Sequence, residues 1–364
     1  MLASTLMQTL LASVMPTVAR ELGQSWLYGW VFAAYLAGST LLLPLAGQLA
    51  DLVGRRRMFQ VGVLSYGLGT VAVASARSMP VLVAARLGQG LGAALLAPAA
   101  LAAIVDLTGG PDGEPARRRL LSLMGVLQMV ANITGPILGA WCTSRLGWRW
   151  AVLVTLPPTL LATLLGTTLP GRTRPAPRRF WTQLDWRQPL PLLRHIPAAR
   201  AVGGSAARAG ATLMATVAFL PLHVTAAGVH TGQALSVLMV GAGGGSLLTG
   251  LVGRWPRSAM RAGWALTGAG LGAVALLSSP PALLAASGTV GIGLGIVQPL
   301  MLLWAQRSGG EQVAQFSSLV QLGRNTGGAA ATFLLAGLVV RHVTGIAFMI
   351  LAVVALAGAL RRQW

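Results

Sequence analysis

The sequence predicts an all-α membrane protein with twelve transmembrane helices in two six-helix halves. Three observations lead there. The 364-residue chain is 54% hydrophobic and 9% charged, with a mean hydropathy of +0.69, where an ordinary soluble domain carries roughly 25% charge. Apolar stretches long enough to cross a bilayer recur twelve times along it. Arginines gather in every second connection between them, the pattern of positive-inside ordering. The formal charge of +20 arises from 27 basic residues, all arginine, against 7 acidic ones. On a soluble chain that balance would point to nucleic acid, which needs an exposed basic face with interleaved aromatics. Here the arginines sit between apolar stretches, so nucleic acid is excluded as a partner. The single cysteine, Cys142, leaves no disulfide framework and no cysteine-rich metal site.

A hydrocarbon core of about 30 Å takes about 20 apolar residues per helix. The stretches fall near 2–20, 27–49, 58–76, 80–105, 120–141 and 149–169, then 201–223, 233–252, 262–278, 282–306, 314–340 and 343–360. The first starts at the initiating Met without a basic lead-in. It is therefore expected to span the membrane instead of serving as a signal peptide, its cytoplasmic lead-in missing from this chain. With the N-terminus in the cytoplasm, the inner connections carry Arg55–Arg57, Arg117–Arg119, seven arginines from Arg172 to Arg200, then Arg254, Arg257, Arg261, Arg307, Arg361 and Arg362. These nineteen face five outside: Arg20, Arg77, Arg145, Arg149 and Arg341. Both termini are thus expected in the cytoplasm of a cell membrane, and a bacterial one. The Pro- and Arg-rich run after the sixth stretch divides the chain into an N-terminal half 1–170, a cytoplasmic linker 171–200 and a C-terminal half 201–364. Trp26, Trp30, Trp141, Trp148 and Trp150 lie near the outer interface and read as belt anchors.

An internal repeat supports the two halves. Gly88–Gly92 with Pro98 in the fourth stretch is echoed by Gly291–Gly295 with Pro299 in the tenth. Ser122, Asn132 and Gly135 in the fifth are echoed by Ser318, Asn325 and Gly328 in the eleventh. Chance likeness of Gly-rich helices is the plainer account, but the matching order favours duplication. Between the second and third stretches lie Gly47, Asp51, Gly54 and Arg55, Arg56 and Arg57. A positive-inside loop explains the arginines but not the Gly/Asp/Gly spacing. The glycines allow close helix approach and a tight turn, and Asp51 can accept from a helix N-terminus or pair with arginine as a conformational latch.

With that loop the chain resembles the major facilitator superfamily, over nearly its whole length. Arg86, Gln89, Gly90 and Gly92 match the superfamily's fourth-helix motif, and Gly135, Pro136 and Gly139 match the fifth-helix motif associated with antiporters, with Ala140 in place of its second closing Gly. Leu6–Thr9 through Pro16, Arg20–Gly23, Trp148–Trp150, Asp185–Trp186 and Arg324 with Gly327–Gly328 resemble the fourteen-helix multidrug-efflux branch. The chain departs from that branch in two respects. The linker stands where two central helices are usual, and Met7 stands where an Asp is usual. The resemblance implies drug-type proton antiport, and a loop at Asp51 and Arg55–Arg57 that stabilises the outward-facing state.

Polar residues inside the predicted helices are read by period. Ser317, Gln321, Arg324 and Gly328 form one stripe of the eleventh helix. Arg324 lies about 15 Å from the cytoplasmic end. Unpaired, it costs at least about 2.5–3.5 kcal/mol to insert, so it should face a cavity or a partner. Backbone carbonyls or a watery crevice would also satisfy it. Gln128, Asn132, Gly135 and Gly139 form a similar stripe, equally readable as interhelical glue, and Gly135–Pro136 reads as packing and bending. Arg208 is close enough to the cytoplasmic end to snorkel, and Arg86, about 9 Å below the outer surface, can do the same. Gln8, Thr9, Tyr35 and Ser39 are placed to line a cavity from the first two helices, and Gln298 from the tenth.

No helix interior holds a catalytic or metal-spaced constellation, and the Gly-rich runs lie in apolar helices, not phosphate loops. The expectation is therefore a non-enzyme without cofactor or metal: a monomeric secondary transporter in a lipid bilayer that exports small organic molecules by alternating access. All seven acidic residues fall at helix ends or in loops. The cavity is expected to be net positive, favouring neutral or anionic substrates, with the proton as the possible coupling ion at Asp51 or Asp106. A facilitator or uptake carrier of the same fold, and a transport-inactive sensor or scaffold, are the alternatives.

Overall fold

The computed structural model describes residues 2–46, 49, 54–107, 114–167, 194, 196–252, 256–309, 313–340 and 343–360. The described part is a bundle of helices: α1 Leu2–Leu22, α2 Tyr28–Leu41 after a single 3-10 turn, α3 Arg55–Ala74, α4 Met79–Leu107, α5 Glu114–Leu146, α6 Trp148–Leu153 and α7 Leu156–Gly166. There follow α8 Pro197–Ala226, α9 Thr231–Val252, α10 Pro256–Leu276, α11 Pro280–Gly309, α12 Val313–Val340 and α13 Thr344–Ala359. Seven described helical stretches are both long and apolar enough to cross a membrane, α6 and α7 counting as one. The sixth expected span is thus two short helices in line, broken at Val154–Thr155 before Pro157 and Pro158, whose missing N–H groups cannot continue the ladder. Helix α5 begins well before the apolar stretch expected from 120, because its first turns carry arginines that belong at a membrane surface.

Packing follows the repeat. In the first group α1 lies on α5, and α2 and α3 on α4; in the second α8 lies on α12, and α9 and α10 on α11. The groups meet through α2 against α12 and α5 against α9, a reciprocal exchange. Helix α1 is central, with Met7, Leu10, Leu11, Val14, Met15 and Val18 all buried. Large apolar side chains are exposed along α3 (Val61, Leu64, Leu68), α5 (Leu123, Val126, Val130) and α7 (Leu160, Leu161, Leu164). Such a continuous apolar exterior is one that lipid covers.

The two ends of the bundle differ in chemistry. Arg55–Arg57, Arg119, Arg200, Arg257, Arg261 and Arg307 stand at one end of their helices, the arginine end. Trp26, Trp30, Trp141 and Trp150 are exposed at the other, the tryptophan end. Trp148 differs from its expectation as a belt anchor. It is buried, its Nε1 donating to Glu21 Oε2 at 2.7 Å, because the turn from α5 into α6 folds it against the end of α1. Arg149 stacks over its ring at 4.4 Å, pairs with Glu21 and donates to the Ala76 carbonyl at 3.2 Å. This cluster ties α1, α6 and the α3–α4 connection together.

Candidate functional site

The most polar interior point of the first group is built around Arg86 on α4. The side chain is wholly buried and does not reach the outer surface. Its Nη1 donates to Gln89 Oε1 at 2.5 Å, its Nη2 to Gln8 Oε1 at 2.8 Å and its Nε to the Val31 carbonyl at 3.4 Å. The Tyr35 ring lies 4.2 Å from Cζ, a cation–π distance. Gln89 in turn donates to Thr70 Oγ1 at 2.8 Å, and Thr70 donates to the Tyr66 carbonyl at 3.0 Å. Local structure makes this possible. Gln89 is one turn from Arg86 on the same face, and Gly90 lets α4 meet the α2 backbone, where a Cβ would stand 3.0 Å from Ser39 N and closer still to the Tyr35 carbonyl. Each guanidinium nitrogen thus donates to a neutral acceptor, and one π face covers the group. Among the described residues no carboxylate takes part.

A second polar line crosses between the helix groups. Gln321 donates to Asn325 Oδ1 at 2.9 Å, Asn325 donates to Ser39 Oγ at 3.2 Å, and Ser39 donates to the Leu36 carbonyl at 2.9 Å. Beside it on α12, Arg324 is half-buried, and among the described residues no hydrogen bond or ion pair reaches it. Its backbone is clamped: a Cβ on Gly210 of α8 would stand 2.6 Å from Arg324 Cα and closer to its carbonyl oxygen.

The remaining expected residues separate by place. Gly135 and Gly139 pack α5 onto α1, their missing Cβ atoms leaving room for the Thr9 and Ser13 hydroxyls. The Pro136 carbonyl lies where a Cβ on Gly232 of α9 would come within 2.9 Å, so this motif sits at a triple junction of α1, α5 and α9. Asn132 and Gln298 are half-buried, and no hydrogen bond among the described residues reaches either. Gln128 is half-buried and partnered. Of the latch, Gly47 and Asp51 lie outside the described residues. Gly54 has φ 95°, a conformation that favours glycine, and Arg55, Arg56 and Arg57 open α3 directly after it. Arg208, expected to snorkel, donates Nη2 to Ser205 Oγ at 2.8 Å on its own helix. Asp106 ends α4 without a described side chain.

Sequence reasoning had not singled out Thr70 or Tyr66, and Asn325 entered it only as a mark of the repeat. A helical Thr ordinarily donates to its own preceding turn, so its use as an acceptor for Gln89 leaves no periodic trace. Asn325 lies next to Arg324, and its pairing with Ser39 needs the α2–α12 contact. Around Met7, the hydroxyl of Thr155 lies 3.8 Å from the sulfur, so this buried position is filled by an apolar, weakly accepting side chain.

Among the described residues, the contacts between helix groups fall toward the tryptophan end and the bundle middle. Tyr28 donates to the Ala218 carbonyl at 3.0 Å, Thr231 to the Ser13 carbonyl at 3.1 Å and Ser236 to the Ile133 carbonyl at 3.1 Å, while Trp30 packs edge-on to Phe333 at 4.5 Å.

The sequence model of the Major Facilitator Superfamily matches residues 1–332. The multidrug transporter protein MdtP of Bacillus subtilis is 31% identical over 181 residues, which are 50% of this chain and 33% of that protein. The puromycin resistance protein pur8 of Streptomyces alboniger is 40% identical over 167 residues, 46% of this chain and 32% of that protein. The matched part of the chain therefore spans about a third of these curated relatives. Among solved structures, a variant of the nucleoside transporter NupG superposes with a TM-score of 0.74 at 13% identity, covering 98% of this chain and 96% of the other, a likeness of fold.

Proposed function

Because the chain belongs to the major facilitator superfamily, we propose that it exports small organic molecules across the cell membrane by alternating access, as a non-enzymatic secondary transporter. The observation that carries this is the seam between the helix groups among the described residues. Tyr28, Trp30, Thr231 and Ser236 join them toward the tryptophan end, and the Ser39–Asn325 bond lies near the middle. With both termini and the arginine end in the cytoplasm, this arrangement is the inward-facing state. The two groups correspond to halves 1–170 and 201–364 with a linker 171–200, and opening of the seam exposes the centre to the outside. The multidrug and puromycin-resistance names of the relatives support export as the direction.

The centre lies between Gln8, Tyr35, Gln128, Asn132, Gln298, Gln321 and Arg324, and its formal charge is positive, so neutral or anionic molecules are favoured over lipophilic cations. The proton is the coupling ion, taken up at Asp51 or Asp106 near the arginine end. Cells lacking their own pumps and expressing the protein test the preference. Ethidium, a lipophilic cation, should be exported weakly, and strong ethidium export lost in Arg324→Ala overturns it. In energised vesicles a protonophore should stop transport, and Asp51→Asn or Asp106→Asn should uncouple it. Transport that a protonophore stops in wild type and that both variants leave intact rejects the coupling sites.

A further inference from the structure

Of the three arginines inside the helices, Arg86, Arg208 and Arg324, the first and the last have opposite surroundings. Arg86 is wholly buried, its three guanidinium nitrogens donating to Gln8, Gln89 and the Val31 carbonyl and its face on Tyr35. Arg324 lies eleven residues into α12, about 16 Å from the arginine end at 1.5 Å per residue. It is half-buried, and no acceptor or carboxylate among the described residues reaches it. Glu21, the acid whose surroundings are described, pairs with Arg149 at the far end of the bundle. The other six acids fall at helix ends or in loops of the sequence. A guanidinium at that depth is costly to hold without an anion or water.

The position is also built. Gly210 of α8 lies against the Arg324 backbone, so the side chain projects from a fixed platform. Its sequence neighbour Asn325 makes the bond to Ser39, so Arg324 stands beside the seam where the two helix groups meet. Half-buried amides without a described partner, Asn132 and Gln298, remain on α5 and α11.

We propose that Arg324 receives the oxyanion, carboxylate or phosphate, of the transported molecule, while Arg86 is a structural cation that substrate does not touch. The assignment rests on the transporter reading and narrows its substrate class from neutral or anionic to anionic. The guanidinium fork matches a two-oxygen acceptor. Recognition beside the Ser39–Asn325 bond places the bound charge where it can alter the contact between the groups.

The test uses the full chain in nanodiscs and a matched pair of probes, 1-pyrenebutyrate and its neutral amide 1-pyrenebutanamide, with binding read by fluorescence polarisation. Wild type should bind the butyrate at least about 10-fold tighter than the amide, the scale of one charge-assisted pair. Arg324→Gln should erase that preference by weakening the butyrate alone, and Arg324→Lys should keep part of it. Unchanged amide binding reports that each variant is folded. If Arg324→Gln leaves the preference intact, or weakens both probes equally, Arg324 is not the receptor. If wild type binds neither probe, the anion site falls. Loss of butyrate binding when phosphatidylglycerol replaces phosphatidylcholine assigns the site to a lipid headgroup and overturns the substrate assignment. The same probes in proteoliposomes separate the two readings: selective binding without any flux sinks the transporter proposal and leaves the oxyanion site standing.

Discussion

Arg86 is held by the geometry of its donors more than by charge. Three neutral acceptors and one aromatic face hold it, without a carboxylate among the described residues, so its removal leaves half-buried Gln8 and buried Gln89 with unmet hydrogen bonds. Each such orphan costs about 1–3 kcal/mol. Arg86→Leu is therefore expected to lower the thermal stability of the purified protein by at least one such increment. Arg86→Lys should recover little, because an ammonium cannot reproduce the fork; a melting curve equal to wild type for either variant refutes this account. The Glu21 cluster makes a different prediction. The Glu21–Arg149 pair is itself half in solvent and worth little, but Trp148 is buried and needs an acceptor. Glu21→Gln, which keeps an oxygen, should change stability by less than about 1 kcal/mol. Glu21→Ala, which removes it, should cost about 1–3 kcal/mol, and equal losses for the two would show that charge, not the indole bond, matters. The fourth-helix residues Arg86, Gln89 and Gly90 were legible as a motif, but not their partners. Gln8 and Thr70 lie 78 and 19 residues from theirs in sequence.

At the scale of elements, the decisive contacts are backbone against backbone. Helices α8 and α12 meet through Gly210, Gly323 and Gly327, and at Gly210 an added methyl overlaps the Arg324 carbonyl. Gly210→Ala is expected to cost about 1–3 kcal/mol by overpacking. It should also shift α12, so that weakened binding of an anionic probe accompanies the lower melting temperature. Gly244 has nothing near its missing Cβ, so Gly244→Ala is the matched control and should be silent in both measurements. Element existence was readable from apolar length and arginine spacing. Less readable were the ends and breaks: α5 extends past its apolar stretch into a charged turn, and the sixth span divides before two prolines. The fifth-helix motif, read as a packing and bending element, sits at a packed junction: its glycines admit Thr9 and Ser13 of α1, with α9 against Pro136.

For the whole molecule, the seam near the tryptophan end is where the two groups would separate in an alternating-access cycle. Trp30 on α2 and Phe333 on α12 face each other across it. In a Cys142→Ser background, Trp30→Cys with Phe333→Cys, joined by a short bis-methanethiosulfonate linker, should abolish transport. Cleavage of the linker by dithiothreitol should restore it; unimpaired transport by the linked protein rejects opening at this seam. The sequence by itself determined the membrane-spanning helical class, the twelve-segment count, the arginine asymmetry and the family motifs. These are properties of composition and short spacing, which the bilayer's thickness and charge preference read directly. Only the tertiary structure decided which interior arginine is spent and which is open. Arg86 and Arg324 are chemically identical and both sit within apolar helices. What separates them is whether other helices bring acceptors within hydrogen-bonding distance: α1 and α2 bring Gln8 and the Val31 carbonyl to Arg86, beside Gln89 of its own helix, and no described residue does so for Arg324.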